Sequence, residues 1–354
     1  MIRDELLKNI RKVEPYVPGE QPQKKAVKLN TNENPYPPSP EVRKAFDALD
    51  TDAFRLYPDP TAGELVKALA GNFHVGEDQI FVGVGSDDVL SLCFLTFFNS
   101  DRPILFPDIT YSFYKVWADL YRIPYERPKL NDDFRMIKED YYRENGGIIF
   151  PNPNAPTAIY EEMDFIEDIL SHNRSSIVIV DEAYVDFAGR SALELIDRYD
   201  NLIVTQTFSK SRSMAGMRIG YAVSNPGLIR CLNDVKYSFN SYTMSKAALA
   251  CGAAAVKDRE YFEQNIRKII ETREWAAGEL RKLGFVMTES RANFLFVRHP
   301  KYDAGRLFSE LREEKIYVRH WADERIGQYL RITVGTKEEM RILIDFMKRN
   351  TAMS

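Results

Sequence analysis

Short, almost wholly hydrophobic segments alternate with helix-like segments from about residue 61 to residue 250 of this chain. Two of them, "IVIV" (177–180) and "LIVT" (202–205), lack the polar alternation of a half-exposed strand. Strands that are covered on both faces show such continuous hydrophobic runs. Strands that alternate with helices form βαβ units. The sequence therefore predicts an α/β fold with a mostly parallel mixed sheet flanked by helices.

The chain has 354 residues, and its pattern changes in the last third. A long amphipathic helix is predicted from Asp258 to Gly284, followed by strands interleaved with two helices. This length favours two domains. We expect a large domain over residues 51–250 and a smaller α+β domain over 251–354. An N-terminal segment, residues 1–50, is expected to pack on the small domain and to be irregular where Pro and Asn are frequent.

Local patterns predict where several elements begin. Thr61 with Glu64, and Thr336 with Glu339, have the spacing of capping boxes that open helices. The segment "MRIGYAVS" (217–224) has the composition of a strand.

Charge and cysteine content exclude several classes of function. The chain has 48 basic and 52 acidic residues, so neither nucleic acid nor an anionic membrane is an expected partner. Three separated cysteines and four scattered histidines predict no disulfide framework and no metal site. No apolar run is long enough to span a bilayer, and the charged N-terminus lacks a signal-peptide core. We expect a cytoplasmic protein that acts on small molecules.

Lys210 lies in "TFSKSRSMAGMRIG" (207–220), directly after the predicted strand "NLIVTQT". An exposed surface lysine is the ordinary interpretation. At the carboxyl end of a strand, however, it lies where α/β proteins place their active sites. A lysine there can form a Schiff base with an aldehyde. Pyridoxal phosphate (PLP) sites combine such a lysine with a carboxylate for the ring nitrogen and anion-binding groups for the phosphate.

Candidates for the cofactor ring follow other strands. Asp181 ends "SIVIVDEAY", where an unpaired buried carboxylate would be costly, so it is predicted to pair with the ring nitrogen. Tyr184 and Asn154 are predicted to contact the ring oxygen, and Tyr111 to stack on the ring. A helix-capping role for the acid and core packing for the aromatic residues are the alternatives.

Candidates for the phosphate group lie in "VGVGSDDVL" (82–90). Its glycines allow a tight turn, and Ser86 and Asp87 open the following helix, whose N-terminus attracts anions. Ordinary helix capping is the alternative. Ser209 and Arg218 would add a hydroxyl group and a fixed cation.

Two arginines in the small domain are candidates for binding the substrate. In "YLRITVG", Arg331 alternates with apolar residues and is predicted to face away from the apolar side. A solvated strand face is the alternative. Because arginine binds carboxylate or phosphate through two parallel hydrogen bonds, Arg319 and Arg331 together would suit a phosphate dianion.

The motifs "NTNENPYPPSP", "LYPDP", "VGVGSDD", "PNPNAPT", "DEAY", "TFSKSRSMAGMRIGY" and "LRITVGT" resemble, in this order, the fold type I PLP-dependent aminotransferases. Within that group, "NENPYPPSP", "YPDP" and the arginine pair resemble the histidinol-phosphate aminotransferase family. The chain departs from the family pattern at Ala155, where the ring-contacting Asn often stands, and at Ala158, which replaces a Gly.

The resemblance implies a PLP enzyme of histidine biosynthesis that converts L-histidinol phosphate and 2-oxoglutarate to imidazole acetol phosphate and glutamate. It implies that Lys210 also moves the proton, and that Tyr16 and Asn32 lie in a segment that closes over the substrate. It further implies that Tyr57 reaches the cofactor phosphate of a second subunit, hence a homodimer with shared active sites. Three alternatives remain: an aromatic amino acid aminotransferase, a PLP-dependent decarboxylase of a phosphorylated amino acid, and a non-enzymatic PLP-binding regulator.

Overall fold

The computed structural model of the chain describes residues 2–22 and 26–351. Parts of the predicted N-terminal segment (residues 1 and 23–25) and of the predicted C-terminal domain (352–354) lie outside the described residues. The α-helices are α1 (Asp4–Leu7), α2 (Pro40–Asp47), α3 (Gly63–Phe73), α4 (Ser86–Phe97), α5 (Phe113–Tyr121), α6 (Met163–His172), α7 (Pro226–Phe239), α8 (Lys246–Lys257), α9 (Arg259–Lys282), α10 (Ala304–Glu313) and α11 (Lys337–Thr351). The strands are β1 (Val27–Lys28), β2 (Ile80–Gly83), β3 (Ile104–Leu105), β4 (Tyr125–Glu126), β5 (Ile148–Pro151), β6 (Val178–Asp181), β7 (Leu202–Thr207), β8 (Gly220–Ser224), β9 (Val286–Met287), β10 (Phe294–Arg298), β11 (Ile316–Tyr317), β12 (Arg319–His320) and β13 (Leu330–Thr333).

The large sheet contains seven strands within the described residues, in the order β2–β8–β7–β6–β5–β3–β4. Strands β7, β6, β5, β3 and β4 are parallel, whereas β8 is antiparallel to both of its neighbours. This arrangement confirms the predicted mostly parallel mixed sheet. Because β8 alone runs in the opposite direction, β2, β5, β6 and β7 all end at the same edge.

The hydrophobic runs of the strands are explained by two cores, one on each face of the large sheet. Ile148 and Phe150 point into the core formed with α3, α6 and α8. Ile149, between them, points into the core formed with α4, α5 and α7. All three side chains are fully buried. Successive side chains of a strand point to opposite faces, so a sheet covered on both sides requires apolar residues at every position.

A smaller antiparallel sheet, in the order β12–β13–β10–β9, packs against α9, α10 and α11 around a core of its own. Strand β1 pairs in parallel with β11, which joins the N-terminal segment to this part of the chain. Val42 of α2, in contrast, lies in the core of the large sheet. The N-terminal segment therefore contacts both parts, and the proposed domain boundaries stay a prediction.

The predicted capping box of Thr61 and Glu64 is wrong. Ala62 takes a left-handed backbone conformation, with a φ of 53°, and α3 begins after it at Gly63. The Asp59 carboxylate accepts hydrogen bonds from the backbone N–H groups of Thr61 and Gly63, at 2.9 and 2.8 Å. An acid upstream of the box thus stabilises the start of this helix.

Other local predictions have mixed outcomes. The box of Thr336 and Glu339 is confirmed, because each side chain accepts from the other residue's backbone N–H, at 3.2 and 2.7 Å. The predicted strand 217–224 begins only at Gly220, since Arg218 has a left-handed φ of 53°. No helix in residues 2–22 and 26–351 combines the length and apolar character needed to cross a membrane.

Candidate active site

The carboxyl-terminal edge of the large sheet gathers most of the predicted site residues. Asp181 is the last residue of β6, Lys210 lies three residues after β7, and Ser86 lies three residues after β2. Arg218 reaches the same edge because the antiparallel β8 starts there. Ligands of open α/β sheets bind at this edge.

Lys210 is surrounded by backbone and aromatic groups instead of a polar helix face. Its Nζ donates to the carbonyl oxygen of Thr31 at 3.2 Å and lies 5.7 Å from the centre of the Tyr184 ring. The carbonyl groups of Lys210 and Ser211 accept hydrogen bonds from the side chain of Asn34, at 3.0 and 3.1 Å. Asn34 thus holds the backbone of Lys210, while the half-buried amine of the lysine faces the polar segment that contains Thr31.

Asp181 is a buried carboxylate that can accept further hydrogen bonds. It is 4% exposed, and its Oδ2 accepts from the hydroxyl of Tyr114 at 2.8 Å. Its Oδ1 accepts a longer bond, 3.3 Å, from the N–H of Ala183. Burial disfavours the ionised form and raises the pKa of Asp181 to about 6, although both hydrogen bonds oppose this shift. A nearby cation would restore the ionised carboxylate.

The Tyr184 hydroxyl accepts a hydrogen bond from the side-chain amide of Asn32 at 2.9 Å, which leaves its own O–H available as a donor. Asn32 is fixed by Thr333, which accepts from its backbone N–H at 2.9 Å and donates to its Oδ1 at 3.0 Å. Asn293 donates to its carbonyl at 3.0 Å. Asn32 has a left-handed φ of 55°, an uncommon conformation that several polar contacts stabilise here.

An anion cradle lies between β2 and β8. Gly85 has a φ of 85°, and a Cβ atom there would lie 2.5 Å from Nη2 of Arg218. A Cβ on Gly220 would lie 2.3 Å from the backbone N of Ser86. Within the described residues no side chain caps α4. Its first N–H groups therefore point into a space bordered by a guanidinium group, which suits a phosphate.

Two further side chains border this cradle. Nη1 of Arg218 lies 3.5 Å from the Ser209 hydroxyl, and its Nη2 lies 3.5 Å from Oδ2 of Asp87. The Tyr111 hydroxyl donates to Oδ1 of Asp87 at 2.8 Å. Burial, together with the charge of Asp87, raises the pKa of Tyr111, so its hydroxyl stays protonated and the ring is held in place.

A neighbouring cavity of about 210 Å³ is lined by Tyr16, Tyr111, Arg319 and Arg331, among others. The two arginines stand directly opposite each other on β12 and β13. Nη2 of Arg331 donates to the carbonyl of Asn30 at 2.8 Å, whereas its buried Nε lacks a hydrogen-bond partner in the described residues. Burial, and after it the charge of Arg319, lowers the pKa of Arg331. Two adjacent guanidinium groups, one with an unsatisfied donor, are suited to bind an anion.

The side chains of Asn154 and Tyr57 are engaged with other parts of the protein. The Asn154 side-chain amide donates to the carbonyl of Ile109 at 3.0 Å and to the Thr157 hydroxyl at 2.9 Å, so both of its hydrogens are engaged. Tyr57 is 78% exposed, and its ring stacks on Tyr242 with a centroid separation of 4.5 Å.

Sequence reasoning missed three residues that support the site. Tyr114, whose hydroxyl donates to Asp181, was not among the predicted site residues. Asn34 holds the backbone of Lys210. The Trp321 ring lies 5.7 Å from the guanidinium carbon of Arg319 and 5.3 Å from that of Arg331. Only Tyr114 carried a signal, because it follows Tyr111 by three residues at the start of α5, whose N-cap is Ser112.

Comparison with known proteins agrees with this geometry. The sequence profile of the family "Aminotransferase class I and II" matches residues 24–347. The chain therefore belongs to the class I and II aminotransferases.

The chain is also similar to particular proteins. The chain is 52% identical over 341 residues to the histidinol-phosphate aminotransferase of Lactococcus lactis subsp. cremoris (strain MG1363), covering 96% of each chain. It is 51% identical over 337 residues to the protein of that name from Pseudomonas putida (strain KT2440), covering 95% of this chain and 97% of the other. The crystal structure of histidinol-phosphate aminotransferase from Sinorhizobium meliloti, in complex with pyridoxal-5'-phosphate, matches with a TM-score of 0.84. It is 24% identical and covers 92% of this chain and 90% of the other, and it supports the fold.

Enzymes of this family use PLP, and the residues at the sheet edge fit that cofactor. A buried carboxylate with a raised pKa suits a protonated ring nitrogen, and the uncapped α4 with Arg218 suits the phosphate. The free O–H of Tyr184 suits the ring oxygen, and the Lys210 amine lies 5.7 Å from the Tyr184 ring. The chain is thus a PLP-dependent aminotransferase by family and by the chemistry of its side chains.

Proposed function

We propose that this aminotransferase moves the amino group of L-histidinol phosphate to 2-oxoglutarate, yielding imidazole acetol phosphate and glutamate in histidine biosynthesis. The observation that carries the proposal is the pair Arg319 and Arg331, which face each other across adjacent strands in one cavity with Tyr111. A phosphate dianion matches two guanidinium groups better than a single carboxylate does. The names of the relatives at about 50% identity point to the same substrate.

PLP, when bound, supplies an aldehyde that condenses with amines and a ring that takes up the electron pair released from the donor carbon. In our proposal Asp181 pairs with the ring nitrogen, Tyr184 donates to the ring oxygen and Tyr111 packs against the ring. The phosphate is held by the first N–H groups of α4 with Ser86, Asp87, Ser209 and Arg218. Since both hydrogens of Asn154 are engaged, we assign that residue to holding the loop beside the ring.

Lys210 is proposed as the residue that joins the cofactor and then moves a proton at its Nζ. Its amine donates to the backbone carbonyl of Thr31 at 3.2 Å and forms no ion pair in the described residues, so it can leave this contact for the cofactor. Asp181 supports the chemistry by keeping the ring nitrogen protonated, because the desolvated carboxylate is stabilised by a cation beside it.

We further propose that Asn32 and Tyr16 border the bound substrate. Asn32 contacts the Tyr184 hydroxyl, and Tyr16 stacks on Phe113 with a centroid separation of 4.3 Å at the wall of the cavity. Both lie in the N-terminal segment. This segment also reaches Arg319 through the carbonyl of Val17, at 3.3 Å, so it lies beside the anion-binding groups.

A cytoplasmic homodimer with shared active sites is part of the proposal. A dimer would bury exposed apolar side chains near α7 and the segment before α3. In a dimer, Tyr57 would reach the phosphate of the second site. The large exposed side chains of this patch are Phe54, Leu56, Tyr57, Tyr237, Phe239 and Tyr242.

The test is a donor panel with purified enzyme and 2-oxoglutarate, followed by loss of the visible absorbance of the cofactor and by glutamate formation. We expect L-histidinol phosphate to be converted with the highest kcat/KM. Preference for phenylalanine or tyrosine would favour an aromatic aminotransferase, and release of carbon dioxide without a need for an oxo acid would favour a decarboxylase. Either result would overturn the substrate assignment.

Variants test the role of the lysine. Lys210→Ala should abolish turnover and the visible absorbance of bound cofactor. Lys257→Ala, on an exposed lysine that pairs with Glu64 at 3.7 Å, is the matched control and should keep full activity. Turnover by Lys210→Ala at the parent rate would contradict the assignment.

A further inference from the structure

Arg325 connects the two walls of the substrate cavity. It lies in the segment between β12 and β13, and its Nη1 donates to Oδ2 of Asp108 at 2.6 Å. Its Nη2 donates to the carbonyl groups of Leu130 and Asn131, at 2.8 and 3.2 Å. These acceptors belong to segments that follow strands of the large sheet. A single guanidinium group thus joins the small sheet to the large one.

The residues on either side of this contact form the cavity itself. Asp108 and Ile109 line one wall, and Trp321, Asp323 and Ile326 line the other. Arg325 does not line the cavity, because its guanidinium group is directed to the acceptors described above. It therefore acts on the cavity through its neighbours and does not bind the substrate itself.

Both ends of the contact are held by further hydrogen bonds. Oδ1 of Asp108 accepts from the N–H groups of Ile109 and Leu130, each at 2.9 Å. Oδ1 of Asp323 accepts from the N–H groups of Arg325 and Ile326, at 2.9 and 3.3 Å. The side chains of Arg325 and Asp108 are 32% and 17% exposed, so solvent screens this ion pair less than a surface pair.

The wall that Arg325 holds also carries Trp321, which lies against both arginines of the anion site. A ring at 5.3–5.7 Å from two guanidinium groups attracts them and limits their rotation. Ile326, in the same segment, is buried among Ile109, Leu130 and other apolar side chains. A shift of this segment would change both the width of the cavity and the position of the two cations.

We propose that the ion pair of Arg325 and Asp108 is a positioning element that sets substrate affinity by holding Trp321 against Arg319 and Arg331. The inference rests on the proposed function, since it takes the arginine pair as the binding site for the phosphate of the donor. A site that is loosened by about 1 Å loses much of its affinity although every binding group is still present.

The experiment compares the holoenzyme with Arg325→Gln, Asp108→Asn and the double variant. We expect each single variant to raise the KM for L-histidinol phosphate at least tenfold with kcat changed less than threefold. Competitive inhibition by inorganic phosphate should weaken at least fivefold. The KM of the double variant should lie within about twofold of the higher of the two single-variant KM values, because both changes break the same contact. Cofactor affinity should be unchanged.

Controls separate positioning from folding. Arg306→Gln removes an exposed arginine that pairs with Glu310 at 2.7 Å on α10, and it should leave KM and kcat within twofold of the parent values. If Arg325→Gln does not fold, Arg325→Lys keeps the charge but loses the forked contact, and its KM should rise at least threefold. A parent-like KM in folded variants, or single effects that multiply in the double variant, would overturn the proposal.

Failure of the inference can be told apart from failure of the proposed function. If the parent enzyme does not convert L-histidinol phosphate, the substrate assignment fails. The phosphate inhibition arm, measured with whichever donor is converted best, still tests the contact. Unchanged inhibition by phosphate in folded Arg325→Gln and Asp108→Asn would refute the positioning role of the contact.

Discussion

Replacing Asp181 by Asn is expected to stabilise the cofactor-free protein while it removes activity. Burial raises the pKa of Asp181 from its ordinary value of 3.8 to about 6. Between these values the folded chain binds the proton more tightly than the unfolded chain, so the stability of the folded state falls as the pH rises. A difference of roughly two pKa units corresponds to about 3 kcal/mol. Above pH 7 the ionised carboxylate therefore costs the cofactor-free protein about this amount.

Urea unfolding of the cofactor-free parent and of Asp181→Asn, each from pH 4 to pH 8, measures this cost. The Asn side chain keeps an acceptor for the Tyr114 hydroxyl but carries no charge. The two proteins should have similar free energies of unfolding near pH 4, and the variant should be more stable by about 3 kcal/mol above pH 7. Comparing the two curves cancels other buried acids, such as Glu182, whose pKa burial raises to about 7.

The same variant should lose turnover at least about 100-fold, as expected when a charge that stabilises the reacting state is removed. Asp234→Asn, at an exposed acid of α7, is the control and should show neither effect. Parallel unfolding curves of the parent and Asp181→Asn over the whole pH range would show that the carboxylate is not desolvated in the folded protein. The explanation of its function would then fail as well.

Two smaller changes test the cradle and a helix start. Gly85→Ala would place a Cβ atom 2.5 Å from Nη2 of Arg218 at a φ of 85°, with about 1–3 kcal/mol of strain. Cofactor affinity in an absorbance titration should therefore fall at least tenfold. Unchanged affinity would argue against the cradle. Thr336→Ala removes the confirmed capping box with Glu339 and should lower the free energy of unfolding in urea by about 1 kcal/mol while kcat stays constant. A loss of activity in that variant would contradict its purely structural role.

The two incorrect local predictions, at Thr61 and over 217–224, have a common physical cause. The box at Thr61 failed because the left-handed conformation of Ala62 moved the helix start to Gly63, and Asp59, two residues before Thr61, supplied the acceptor. The strand predicted over 217–224 was shortened because Arg218 turns its backbone beside the close approach of Gly220 to Ser86. Both outcomes depend on backbone conformations that spacing alone does not encode.

The sequence by itself determined the alternation of buried strands and helices, because hydrophobic periodicity is a local property of the chain. It also determined which residue types follow each strand, and hence that Asp181, Lys210 and Ser86 would meet at one edge of the sheet. Only the tertiary structure decided which hydroxyl binds Asp181 and which ring lies over the two arginines. It alone also brought Arg325 to Asp108, 217 positions away. Contacts between residues so distant in the chain depend on how the two sheets pack, and no local pattern records that packing.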